Sequence, residues 1–313
     1  MGLTSYLQTI KTDRFGHRAK GDKIAVVVAR GSILDGEQPA GTIGGDSTAA
    51  LIRQARNDEN VKAIVLRIDS GGGSAFASEI ISRESEKARA DGIPVIAYMG
   101  SVAASGGLWI ATSSDQIWAH PSTITGSIGI FGMVPTYQRP LAEHLGIQVD
   151  GVSTAPLAGV RLDRELPAEV GEVIQSMIEH GYREFLQRVA DSRGMTTEAV
   201  DKIAQGRVWS GADAHTHGLV DNLGTLNDAI TAAANLAGLE DDYAITYIEK
   251  EQEFKDKIIS ELMAKANGSL EKNVSNISTL DQMLHQIERA AADFADLNDP
   301  NHIYMLSLSL IHI

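Results

Sequence analysis

The sequence predicts an α/β protein whose core is a parallel sheet assembled from right-handed βαβ units. Apolar, β-branched runs of strand length recur at residues 23–29, 61–69 and 94–99, the texture of strands buried on both faces. Helix-prone stretches at 46–55 and 75–90 lie between them, and strand–helix–strand repetition favours a parallel sheet with right-handed crossovers. Two glycine-rich turns, Ser-Gly-Gly-Gly-Ser at 70–74 and Gly-Ser-Val-Ala-Ala-Ser-Gly-Gly at 100–107, each follow one of those strands directly. Turns after parallel strands share the carboxyl edge of the sheet, where ligands bind in such folds.

Taken in order, residues 1–21 are polar and mixed and read as a linker remnant. The strand at 23–29 leads into a glycine-rich loop, after which Asp46, Ser47 and Thr48 can cap the first helix. A further strand is expected at 116–119, and the glycine-punctuated stretch 123–132 is expected to bend around the site. Val170, Ile174, Met177, Ile178, Phe185 and Val189 predict one long helix over 166–193. Thr196 opens another helix, and Trp209-Ser-Gly starts a short one ending near Gly218. From about residue 240, charged amphipathic stretches at 249–266 and 270–294 predict a helical appendage that packs on a partner subunit. The last six residues, Leu-Ser-Leu-Ile-His-Ile at 308–313, differ in texture and read as an artefactual tail. The expected division is therefore 1–21, a main domain at 22–240, and an appendage at 241–313.

Composition narrows the function classes. The chain has 313 residues, 43% of them hydrophobic, enough for a sizeable core. With 41 acidic against 27 basic residues the net charge is −14, and no Lys/Arg cluster offsets it, which argues against nucleic acid as a partner. Zero cysteines remove disulfides, a thiol nucleophile and thiolate-held metal. No cofactor or metal is expected. No run approaches the roughly eighteen apolar residues of a membrane span, and residues 1–6 lack the basic flank and apolar block of a signal peptide. The chain is expected to be soluble.

A serine between small residues at a strand-to-helix turn exposes its hydroxyl beside the next backbone N–H, the geometry an acyl-transfer nucleophile needs. Ser105, with Gly106 after it, fits. The pattern is not a G-x-S-x-G elbow, because Ala103 stands two residues before Ser105. The alternative is a packing turn in which Ser105 only caps the next helix. N–H groups near Gly73 and at Gly106 would form an oxyanion hole. A phosphate-binding turn is the rival reading, but no G-x-x-x-x-G-K-[ST] or G-x-G-x-x-G pattern starts there. The base is harder to find. His120, His144 and His180 are isolated, and His215 and His217 read as surface residues. A desolvated lysine is the alternative, yet no lysine occurs between Lys87 and Lys202.

These residues carry a family resemblance. Residues 61–73, 100–107, Thr-Gly-Ser-Ile-Gly at 125–129 and Lys-Ile-Ala-Gln-Gly-Arg-Val-Trp at 202–209 resemble signal peptide peptidase A, also called protease IV, over residues 21–304. The resemblance implies a Clp protease/crotonase-like fold and a Ser–Lys serine endopeptidase of the bacterial inner membrane, at its periplasmic face, that degrades cleaved signal peptides. It implies Ser105 as nucleophile, Ser127 as the hydroxyl orienting the lysine ammonium, and Gly73 with Gly106 as oxyanion donors. It also implies a homo-oligomer. Two departures stand out. Gly71 occupies a position where proline is common, and residues 151–158, which line up with the lysine region of short family forms, hold no lysine. The chain therefore looks like the second half of the long, tandem-repeat form, with the base and membrane anchor in an N-terminal half. A catalytically silent scaffold half and, further off, a crotonase-type acyl-CoA enzyme are the competing functions.

Overall fold

The computed structural model describes residues 21–134, 136–155, 158, 160–240, 243–249 and 297–307. The expected linker at 1–21 save Gly21, both expected appendage helices save Glu249, and the expected artefactual tail lie outside the described residues.

Strand β1 (Lys23–Arg30) is followed by the short strands β2 (Ile33–Leu34) and β3 (Ile43–Gly44). Helix α1 (Gly45–Asn57), β4 (Val61–Ser70), β5 (Gly72–Ser74), α2 (Ala75–Ala90) and β6 (Val95–Ala104) come next. Helix α3 (Gly106–Ala111), β7 (Gln116–Ala119), β8 (Ile124–Gly126), β9 (Phe131–Gly132), α4 (Gln138–Leu145) and α5 (Ala168–Arg193) form the middle of the chain. The remainder comprises α6 (Thr197–Ile203), β10 (Val208–Ser210), α7 (Gly211–Thr216), β11 (Asn222–Leu223), α8 (Leu226–Leu236), β12 (Ala244–Ile248) and β13 (Ile303–Leu306).

The larger sheet runs β10-β8-β6-β4-β1-β12, with β7 beside β6 and β11 beside β7. All its pairings are parallel except β10 with β8. Strand periodicity of two explains its all-apolar central strands. In β1, Ala25 and Val27 face a core closed by Ile52 of α1, Ile81 of α2 and Phe185 and Val189 of α5. Ile24 and Val26 face the opposite layer, against Ala229, Ile230 and Ala233 of α8. Helices thus cover both faces, as a parallel sheet requires.

The smaller sheet, β3-β2-β5-β13-β9, departs from expectation. Two stretches of the expected appendage, one on either side of its two expected helices, are strands. β12 extends the main sheet beside β1, and β13 runs antiparallel between β5 and β9. The alternation Ile-Tyr-Met-Leu carries the β-branched and aromatic preference of a strand, which the charged sequence before it conceals.

Candidate active site

The third strand is longer than its apolar run. β6 continues through Ala104, so the octapeptide is half strand, and the chain turns at Ser105 alone. A bulge aims that end. Ile68 opposes Met99 but Ser70 opposes Ala103, so β6 holds two more residues than β4 across the same interval. Asp69 fills the gap, its Oδ1 accepting the Val102 N–H at 3.2 Å. Past the bulge β6 changes neighbours: residues 96–99 pair with β7, and 102–104 with β8.

Ser105 is fully buried and sits at φ 54°, ψ −114°. A non-glycine residue at positive φ is held against a cost of about 1–3 kcal/mol, and such strain collects at functional sites. Its N–H donates to the Gly126 carbonyl (2.9 Å) and its carbonyl accepts from Trp109 N at 2.9 Å. Its side chain makes no cap to the helix, which removes the capping alternative. Ser105 Oγ is buried with no hydrogen-bond partner among the described residues.

The glycine turn at 70–74 lies against it. A methyl group placed on Gly72 would come within 2.9 Å of the Gly106 nitrogen, and one on Gly107 within 3.0 Å of the Ser70 carbonyl oxygen. Gly72 and Gly73 hold φ angles of 104° and 153°, which leave no room for a side chain. The structure therefore brings Ser105, Gly106 and the Gly71–Gly73 turn together.

Ser127 also stands at positive φ, 51°. Its N–H donates to the Arg207 carbonyl at 2.6 Å, and Gly206 N donates to the Ile128 carbonyl at 2.9 Å. The 125–129 and 202–209 motifs thus form one cradle, with Gly129 packed on Gly206. Tyr182 ties that cradle to α5. Its hydroxyl donates to Asp201 Oδ1 (2.6 Å) and accepts from Gln205 N. Burial, reinforced by the Asp201 carboxylate, pushes this phenol up to about 12.

Among the described residues no lysine is hydrogen-bonded to Ser105 Oγ. Lys23, Lys62 and Lys87 pair with Asp58, Asp22 and Glu84, and Lys202 lies in the last turn of α6. Residues 151–155 are exposed. Among the described residues no group of histidines and carboxylates has metal-holding geometry, and no helix is long and apolar enough to cross a membrane.

Several positioning residues escaped the sequence reading. Trp109 of α3 packs edge-on to Phe185 at 5.0 Å, and the Arg188 guanidinium stacks 4.7 Å from its ring. Arg188 also pairs with Glu79 and Glu86, so α2 and α5 clamp the helix that starts at Gly106. Beside this clamp a cleft of about 830 Å³ reaches Asp299 and Ile303 but excludes Ser105. No local sequence signal links positions so far apart.

The profile of Peptidase family S49 matches residues 87–240. A protein of Enterococcus faecium, provisionally named signal peptide peptidase SppA, is 30% identical over 254 residues, covering 81% of this chain and 71% of that protein. The chain belongs to peptidase family S49. Protease 4 of Salmonella typhi is 43% identical over 295 residues, covering 94% of this chain and 47% of that protein. The chain thus spans about half the length of this relative, and 48% of Protease 4 of Haemophilus influenzae. A mutant of the 1510-N membrane-bound stomatin-specific protease superposes with a TM-score of 0.46 at 16% identity, over 74% of this chain and 99% of that one. Membership makes the chain part of a serine peptidase family with the parallel-sheet α/β core described above.

Proposed function

We propose that this chain is the nucleophile-bearing half of a Ser–Lys endopeptidase that cleaves signal-peptide remnants at the periplasmic face of the bacterial inner membrane. One observation carries the reading: Ser105 is strained, buried and without a partner at Oγ among the described residues, beside Gly106 and the 71–73 turn. In the reaction Ser105 Oγ attacks the peptide carbonyl while a neutral lysine takes its proton. N–H groups of Gly73 and Gly106 bind the oxyanion; losing one such donor elsewhere costs about 10²–10³ in rate. The lysine returns the proton to the leaving amine, and water then hydrolyses the acyl-enzyme. Ser127 orients the ammonium.

The base comes from a lysine-bearing N-terminal half, in keeping with the unpaired Ser105 hydroxyl and the half-length match to Protease 4. That half completes the site, and the protein assembles as a homo-oligomer. The test is fluorophosphonate labelling of this chain with and without the lysine-bearing half of the same protein. Labelling at Ser105 only in the mixture, lost in Ser105→Ala, is the expected result. Equal labelling of the Ser105→Ala variant would falsify the assignment.

A further inference from the structure

We infer that Asp69 and Thr123 are positioning residues for the reaction: from opposite edges of β6 they lock the bulge at Gly100–Val102 that stands Ser105 against the glycine turn. The inference rests on the reading of Ser105 as nucleophile for what the lock serves.

Strand pairing alone does not place Ser105. Up to Ile68 and Met99, β4 and β6 advance residue for residue, but Ser70 then opposes Ala103. Without the bulge Ser70 would oppose Ser101, and everything after it would sit two residues, roughly 7 Å, farther along the strand. A slip of one residue would turn the strand inside out, whereas a slip of two keeps every side chain on its own face. Pleat and hydrophobic pattern therefore do not choose between the two arrangements. Ser105 stands beside the Gly71–Gly73 turn in one and overshoots it in the other.

Side chains make the choice. A bulge takes ladder partners away from the strand that carries it. On the β4 edge, Val102 N–H donates instead to Asp69 Oδ1 at 3.2 Å. On the other edge, where β6 has left β7 and not yet met β8, Thr123 Oγ1 donates to the Gly100 carbonyl at 2.7 Å. Thr123 is 1% exposed, and its oxygen accepts the His120 N–H at 3.1 Å, which fixes the aim of the hydroxyl. Each side chain thus serves a backbone group that only the bulged register leaves without a partner. Gly100 belongs to the same device. A methyl there would press on Asp69 Cγ at 3.2 Å, so glycine gives the carboxylate its room.

The end of β4 is the common reference for both halves of the site. Asp69 fixes the nucleophile strand to it, and the next residue fixes the glycine turn: Ser70 Oγ, on a buried residue, accepts the Gly72 N–H at 3.1 Å. The Asp69 carbonyl accepts from Gly31 N at 3.0 Å, tying that end to the residue after β1. Neighbouring residues of one strand therefore set the separation between Ser105 and the turn whose N–H groups the proposed reaction uses. What Asp69 supplies to Val102 is an acceptor, which an asparagine also carries.

The test compares Asp69→Ala and Thr123→Val with Asp69→Asn and Thr123→Ser, which keep the acceptor and the hydroxyl. Fluorophosphonate labelling of Ser105 and peptide-ester kinetics are measured on this chain completed by the lysine-bearing half. Amide exchange at Val102 and Ser105 is read on this chain alone. Asp69→Ala and Thr123→Val should lower the labelling rate and kcat about 10²-fold, the effect of displacing a reacting group. KM should stay within roughly threefold of the parent, since ground-state binding is untouched, and both amides should exchange faster. Asp69→Asn and Thr123→Ser should recover most of the rate and the protection. Thr123→Val, which keeps the side-chain volume, carries the comparison where Asp69→Ala does not fold. Parent-like labelling in a folded Asp69→Ala or Thr123→Val overturns the inference, as does an equal loss in Asp69→Asn and Asp69→Ala. A parent labelled no better than Ser105→Ala overturns the nucleophile reading instead, and unchanged exchange at Val102 in Asp69→Ala then overturns the lock separately.

Discussion

The Ser105 N–H donates to the Gly126 carbonyl at 2.9 Å, binding the turn of one serine to the turn of the other. Gly126 stands at φ 82°, and a methyl group there would meet Trp209 Cδ1 at 2.8 Å and the Arg207 carbonyl oxygen at 2.9 Å. Gly126→Ala must move the 202–209 cradle or the strand end that positions Ser105. It should cost about 1–3 kcal/mol in urea unfolding. It should also lower Ser105 labelling in the completed enzyme more than stability alone explains. A variant as stable and as reactive as the parent would separate the two turns functionally.

Arg188 should matter to a site it never touches. Its guanidinium covers Trp109 and pairs with Glu79 and Glu86, with its side chain only 17% exposed. Arg188→Ala should lose about 1–3 kcal/mol and shift Trp109 fluorescence. Arg188→Lys keeps the charge but not the planar fork, and should recover less than half of the loss. Full recovery by lysine would reduce the clamp to a simple charge pair.

Glu84 gives the fold an acid-sensitive joint. It lies on α2, buried, with Arg53 and Arg56 of α1 and Lys87 about it at 3.0, 2.9 and 3.4 Å. Burial alone pushes its carboxyl up, but the hydrogen bond and charge of Arg53, with Lys87, outweigh it and leave the value below 4.5. A depressed carboxylate contributes its full stabilisation above the unfolded value and loses it as pH falls through the folded one. Glu84→Gln should therefore cost about 1–2 kcal/mol at pH 7 and much less at pH 3. An equal cost at both would show that packing rather than charge is at stake.

The parallel core was legible because its strands announce themselves. Ile24 to Val27 are apolar without a break since both faces are covered, and α2 falls at 75–90 as its periodicity demands. The candidate nucleophile was legible for the same local reason, a serine among residues too small to obstruct it. Position was not. Nothing around residue 100 announces the bulge that carries β6 past its apolar run to Ala104, because register depends on Asp69 in another strand. Nor does local sequence reveal that Ile303–Leu306 lies against Gly72–Ser74, since that pairing spans more than two hundred residues and a charged stretch that reads as helix.

Ser74 combines two tasks whose separation can be measured. Its Oγ accepts the Ala77 N–H at 3.0 Å, capping α2, and donates to Asp299 Oδ2 at 2.6 Å. Both groups are almost wholly buried. Ser74→Ala removes the cap, worth about 0.5–2 kcal/mol, and strips the buried Asp299 carboxylate of one donor, worth about 1–3 kcal/mol more. Asp299→Ala leaves the cap intact but removes the carboxylate. In the double variant the second penalty cannot be paid twice, so the combined loss should fall short of the sum of the singles by about 1–2 kcal/mol. Urea denaturation of the four proteins closes this cycle. Strict additivity would mean that Ser74 acts only as a cap, and that its hydrogen bond to Asp299 contributes nothing to stability.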